Sequence, residues 1–173
     1  MTTFTIATPD EMVELGARLA TELRAGDLIA LNGELGAGKT TLTRGLGAAL
    51  GVRGTVTSPT FVLARTHQRV SGGAPLVHVD AYRLSSPAEL DDLDIDYAAS
   101  IVVVEWAAGM LDGLTEDWLE LTIVRPMGSR PIGGAQTSET SETSETSDDG
   151  DDAEPREVTI TGHGDRWAGY SAD

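Results

Sequence analysis

The chain has 173 residues, a formal net charge of −16 and no cysteine. That length suits one compact α/β unit, and the missing cysteines exclude a disulfide framework, a thiol nucleophile and a zinc–thiolate centre. The acidity excludes the dispersed basic face that gripping DNA or RNA backbone requires.

In chain order, residues 4–7 are predicted to form a short strand and residues 9–23 a helix. Thr8 and Glu11 make a capping box with Pro9 at the first helical position, while Met12, Leu15, Gly16, Leu19, Ala20 and Leu23 share one face. A turn over 24–27 leads into Leu28, Ile29, Ala30 and Leu31, an apolar run of the kind buried in a parallel sheet. The segment GELGAGKT at 33–40 follows at once. A helix is predicted over 40–50, with Leu42, Leu46, Ala49 and Leu50 inward and Gly51 ending it.

Segments 61–69 and 76–83 are predicted extended around a turn at 71–75, which gives an antiparallel hairpin. In the second of them Val77 and Val79 face one way, and His78, Asp80 and Tyr82 face the other. Ser86 and Glu89 form a second capping box opening a short helix toward Leu93. The run IVVVEW at 101–106 predicts a second fully buried strand. Leu119, Leu121 and Ile123 alternate with polar residues, as do Val158 and Ile160, so two half-exposed strands flank an insert at about 129–155. Within it Thr-Ser-Glu occurs three times, and 136–155 carries eight acidic residues and no Lys or Arg, half of the net charge. Such a stretch has no apolar anchor to offset its ordering entropy, and disorder is expected. A regulatory or phosphorylated loop is the alternative.

No uncharged apolar run approaches the roughly 18 residues of a membrane span, and no secretory leader is visible, so a soluble cytoplasmic protein is expected. His67, His78 and His163 show no metal-ligand spacing.

GELGAGKT matches the pattern GxxxxGK[ST] between an apolar strand and a helix. Its residues Gly33, Glu34, Leu35, Gly36, Ala37, Gly38, Lys39 and Thr40, with Thr41 next, would cradle a nucleoside triphosphate. The three glycines let successive backbone N–H groups turn inward on the phosphates, helped by the helix N-terminus. Lys39 is the sole lysine among 12 basic residues. Compositional bias accounts for the missing lysines but not for where the survivor sits, and a planar guanidinium does not replace a compact ammonium on β- and γ-phosphates. Thr40 offers its hydroxyl to Mg²⁺.

Such a site also needs a carboxylate at the end of a neighbouring buried strand. Glu105 stands there, although IVVVE departs from the commoner apolar run plus Asp, and a solvated strand-end acid is the alternative. Trp106 beside it fits a cap on the core. For Asp80 a catalytic face and a plain polar face both remain open. The segment Ser58-Pro59-Thr60-Phe61 is equally open: a Pro-fixed turn able to present the Thr60 hydroxyl as a γ-phosphate sensor. No Asn-Lys-x-Asp element exists, which speaks against a GTPase.

GELGAGKTT at 33–41, SPTF at 58–61, HVDAYR at 78–83 and VEW at 104–106, in that order and spacing, resemble the TsaE (YjeE) family of bacterial tRNA threonylcarbamoyladenosine biosynthesis ATPases, from about residue 8 to 125. With the predicted elements, the resemblance implies a P-loop NTPase-like three-layer α/β sandwich, its mixed, mostly parallel sheet flanked by helices and carrying antiparallel hairpins. It implies ATP as the nucleotide, Mg²⁺ on Thr40 and Glu105, catalytic roles for Asp80, Glu105 and Thr60, and partner-contact or structural roles for Trp106, Tyr82 and Arg83. It also implies work with the TsaD and TsaB proteins, which transfer a threonylcarbamoyl group to an adenosine beside the tRNA anticodon; ATP hydrolysis would reset that complex, and tRNA would be met only through it. The acidic insert departs from the family. Because a region after the sixth strand contributes to the family's adenine pocket, Arg156 is the residue carried over there. Two rivals stand beside this reading. A small-molecule or nucleoside kinase shares the loop but needs an acceptor pocket and usually an Arg-bearing lid, and no lid segment is visible. An ATP-dependent interaction module would hydrolyse only incidentally.

Overall fold

The two apolar runs lie side by side at the centre of one sheet. In the computed structural model, which describes residues 1–111, 113–125 and 154–170, they become β2 (Leu28–Gly33) and β5 (Ile101–Glu105), paired in parallel from Leu28 opposite Val102 to Leu31 opposite Glu105. Around them stand β1 (Thr2–Ile6), β3 (Ala64–His67), β4 (Leu76–Asp80), β6 (Trp118–Val124) and β7 (Arg156–His163), with helices α1 (Pro9–Ala20), α2 (Lys39–Leu50) and α3 (Pro87–Asp91). The strand order is β1-β7-β6-β2-β5-β4-β3. Strands β6, β2, β5 and β4 form a parallel core, and antiparallel pairings add β3 at one edge and β7 and β1 at the other. This is the mixed sheet and the antiparallel hairpins expected from sequence.

The helical layers are uneven. One face of the sheet, carrying Ile29, Leu31, Leu76, Ile101, Val103, Leu119, Leu121 and Ile123, is covered by α1 and α2 through Met12, Leu15, Leu19, Leu42 and Leu46. The other face, with Leu28, Ala30, Val77, Val79, Val102 and Val104, is covered by α3 and irregular chain bearing Leu93, Ile95, Tyr97, Met110 and Leu111. A long helix does not form there because Asp91, Asp92, Asp94 and Asp96 interrupt the apolar positions, Asp being a poor helix former, and Asp94 takes a φ of 53°.

Local chemistry moved several boundaries. Strand β1 begins at Thr2 because pairing with β7 runs from Thr2 opposite Ile160 to Ile6 opposite Arg156. Helix α1 is capped as expected, Thr8 accepting from Glu11 N, and the Glu11 carboxylate accepts from Ala7 N at 2.7 Å. It stops at Ala20 rather than Leu23, since Thr21 turns its hydroxyl onto Arg18 O at 2.7 Å. Leu23 still packs on the core. Strand β3 starts at Ala64 and not at residue 61: Val62 N and Leu63 N both donate to Pro59 O, and Leu63 adopts a φ of 64°. Ser86 makes no side-chain cap, although Glu89 keeps half of the box by accepting from Ser85 N at 2.9 Å, and α3 ends at Asp91.

The largest correction concerns β4, which ends at Asp80. Its carboxylate accepts from Tyr82 N at 3.0 Å and caps a 3₁₀ turn over Ala81–Arg83, so Tyr82 is not on the His78/Asp80 face but 67% exposed. The expected disorder of 129–155 falls, apart from Glu154 and Pro155, outside the described residues. Among the described residues no helix is long and apolar enough to cross a membrane.

Candidate functional site

The glycine loop joins the C-terminal end of β2 to α2, at the edge of a parallel sheet where the strand ends leave room for a ligand. Its entry is tight: a Cβ at Gly33 would lie 2.6 Å from Ile123 O, and φ there is +152°. Its exit, Gly38, caps α2 at φ 111° without any side-chain hydrogen bond, which leaves the first amides of that helix unclaimed by a capping side chain.

Lys39 is folded back onto this loop. Its Nζ donates to Gly33 O at 2.7 Å and Glu34 O at 2.9 Å, and lies 3.8 Å from the centre of the Trp106 ring. The residue is buried. Desolvation lowers its pKa, and the nearby Glu105 and Asp80 carboxylates pull the other way. Trp106 reaches this position through a left-handed backbone, φ 62°, with its N–H on Leu31 O at 2.9 Å. It is therefore half-buried over the lysine and not a cap on the core, and Tyr82 stands beside it with ring centres 5.1 Å apart.

Two buried carboxylates close the site, each tied to a different loop. Glu105 Oε1 accepts from Thr40 Oγ1 at 2.8 Å and from His78 Nε2 at 2.8 Å. Asp80 Oδ2 accepts from Thr60 Oγ1 at 2.8 Å, and Ser58 Oγ lies 2.7 Å from the same hydroxyl. Arg83 Nη2 donates to Thr60 O, which pins that loop from outside. Thr40 and Glu105 together present hard oxygen donors, the type Mg²⁺ takes when it also keeps waters and phosphate oxygens, so these residues fit the metal expected from sequence.

These groups converge on a cavity of about 500 Å³ lined by Leu35 to Thr41, Ser58, Thr60, Asp80, Tyr82, Glu105 and Trp106. Gly33 and Glu34 serve it through the carbonyls that hold Lys39, and Arg83 only through Thr60. A smaller hollow of about 160 Å³ shares Gly36, Ala37, Gly38 and Thr41 with the cavity and is walled by Thr8, Pro9, Met12 and Arg156. Sequence reasoning missed three contributors. Ser58 lay inside SPTF, and His78 shared the strand face of Asp80 by period-two alternation, so both carried a signal. Arg125, whose Nη2 donates to Gly36 O at 3.0 Å, carried none, being a strand-end arginine 89 residues from its partner.

Comparison with known proteins bears on the family and the fold. The family model described as threonylcarbamoyl adenosine biosynthesis protein TsaE matches residues 6–132, a span that includes every motif segment named above. A Streptomyces coelicolor protein named tRNA threonylcarbamoyladenosine biosynthesis protein TsaE is 55% identical over 160 residues, covering 91% of this chain and 94% of its own. A Mycobacterium tuberculosis protein of the same name is 44% identical over 132 residues, 71% of this chain and 79% of its own. The crystal structure of Bacillus subtilis YdiB superposes with a TM-score of 0.66 at 26% identity, covering 96% of this chain and 88% of that one.

Proposed function

This chain belongs to the TsaE family, and from that premise we propose that it is a Mg²⁺-dependent ATPase of tRNA threonylcarbamoyladenosine biosynthesis, acting in the cytoplasm with TsaD and TsaB proteins to support turnover of their complex. One observation carries the ATPase reading: Lys39, Thr40, Thr60, Asp80 and Glu105 come from four separate stretches of chain and line a single cavity.

ATP lies with its β- and γ-phosphates in the glycine loop, where the amides at the start of α2 meet phosphate oxygens. Lys39 leaves the carbonyls of Gly33 and Glu34 and donates to the β- and γ-oxygens instead, a favourable exchange of neutral acceptors for charged ones. Thr40 and Glu105 would hold Mg²⁺, which would supply charge neutralisation to the phosphates. Thr60 reaches the γ-phosphate end from the SPTF loop, its hydroxyl oriented by Asp80 and Ser58. Asp80 orients the attacking water and accepts its proton as the water oxygen bonds to the γ-phosphorus and the bond to ADP breaks. The base and ribose leave the loop on its other side, toward the hollow bordered by Met12 and Arg156.

Phosphate release from ATP, measured for the protein alone and with TsaD plus TsaB, tests the reading. Slow release alone and a changed rate with both partners are expected. Phosphate transfer that requires an added small-molecule acceptor would identify a kinase instead.

A further inference from the structure

Glu105 is held on one oxygen from two sides, and the two donors are not equivalent. Thr40 belongs to the glycine loop, and its hydroxyl is the group the proposed function turns toward the metal. His78 belongs to the middle of β4, has no exposed surface, and does not line the cavity. It sits two residues from the end of the strand, opposite Val103, with Asp80 opposite Glu105.

On the same face Leu76, Ile101 and Val103 are apolar, while Asp80 and Glu105 stand at its far end, so His78 marks the boundary between core and carboxylates. His78 leaves its Nδ1 buried without a hydrogen-bond partner among the described residues. Buried polar atoms are rarely left so, and an exception calls for a use. Among the described residues the ring's one polar tie is Nε2 to Glu105 Oε1 at 2.8 Å, and because a carboxylate oxygen only accepts, Nε2 carries the hydrogen.

We propose that His78 is a positioning residue for Glu105: the Nε2–H bond fixes the rotation of the carboxylate, so that Glu105 meets Mg²⁺ in one orientation while Thr40 rearranges. The inference rests on the Mg²⁺-ATPase reading above. Groups behind a metal ligand act in this way, and their loss typically lowers metal affinity about 10–100-fold.

Full-length wild type, H78Q, H78N and H78L, each checked by thermal unfolding, would be compared for binding of a non-hydrolysable ATP analogue in EDTA and in excess MgCl₂. A Gln amide nitrogen reaches the depth of Nε2, whereas that of Asn reaches only the depth of Nδ1. Metal-free affinity should agree within about twofold throughout, and the gain on adding Mg²⁺ should fall about tenfold or more in H78N and H78L while H78Q keeps it. A packing role would sort the variants by volume and not by donor reach. H78N or H78L retaining the wild-type gain, or H78Q losing it as fully as H78N, would overturn the inference. If the wild type itself gains nothing from Mg²⁺, the metal reading falls and the inference falls with it. Should H78L not fold, the Gln and Asn pair decides.

Discussion

Asp80 and Glu105 stand in direct register at the ends of adjacent parallel strands, β4 and β5. Both are buried at 4% exposure, and each is bonded to a hydroxyl from a different loop: Thr60 for Asp80, Thr40 for Glu105. Two carboxylates this deep need a cation, and Lys39 is the one whose charge both of them favour. Strand register thus brings the glycine loop and the SPTF loop to one point and gives each its own acid.

Asp80→Asn separates the chemical role of that residue from its scaffolding. The amide oxygen can still accept from Tyr82 N, so the 3₁₀ turn survives, while the anionic group proposed to act on the water is lost. Hydrolysis should fall by about 100-fold or more, as for removal of a positioned general base. ATP affinity should stay within a few-fold. Single-turnover phosphate release beside equilibrium binding makes the check, and an unchanged rate would sink the assigned role.

Lys39→Arg is a sharper test of the loop than Lys39→Ala. With carbonyls 2.7 and 2.9 Å from Nζ and the Trp106 ring 3.8 Å away, the space fits an ammonium and not a guanidinium. Both variants should lose measurable ATP binding, since each charged hydrogen bond to phosphate is worth about 1.5–3 kcal/mol. Equilibrium dialysis with labelled ATP reads the outcome, and near-normal affinity in the Arg variant would show that Lys39 does not meet the phosphates.

Much of this site is legible in the sequence, because spacing and strand periodicity are local signals. GELGAGKT between an apolar run and a helix placed Lys39 and Thr40, and IVVVE placed Glu105 at a buried strand end. What stayed hidden depended on contacts between distant segments. The bond from His78 to Glu105 spans 27 residues and exists only because β4 and β5 pair in this register. Alternation puts Tyr82 on a strand face because it has no means of showing that Asp80 caps its own turn. The left-handed backbone that carries Trp106 over Lys39 likewise has no sequence signature.

Acid should destabilise the fold through His67. The residue is buried on β3, and burial first, then the neighbouring His78 and Arg65, hold its pKa below the usual imidazole value of about 6.5. The unfolded chain therefore binds the proton more readily. Stability from this source is full above pH ~6.5 and is lost as the pH falls toward the folded value. His67→Leu should flatten the fall in thermal midpoint between about pH 7 and pH 5. Parallel profiles for wild type and variant would exclude the contribution.

Gly16 and Gly45 carry the contact between α1 and α2, and here helix propensity and packing make opposite forecasts. A Cβ at Gly45 would lie 2.1 Å from Val13 O, and one at Gly16 would lie 2.2 Å from Leu42 O. Both obstacles are backbone atoms of the facing helix, so no side chain can move aside. Propensity alone makes Gly→Ala stabilising by about 1 kcal/mol. The clash should win: forcing two packed helices apart costs about 1–3 kcal/mol or more, and it also loosens Leu15, Leu42 and Leu46 in the core beneath. Gly45→Ala should therefore lower the denaturation midpoint, and it should weaken ATP binding too, because α2 carries Lys39 and Thr40 at its first turn. The Gly16→Ala/Gly45→Ala double variant should cost less than the sum of the two singles, since the separation forced by one methyl already makes room for the other. A raised midpoint in either single variant, or strict additivity in the double, would show that the helices have slack the structure does not show.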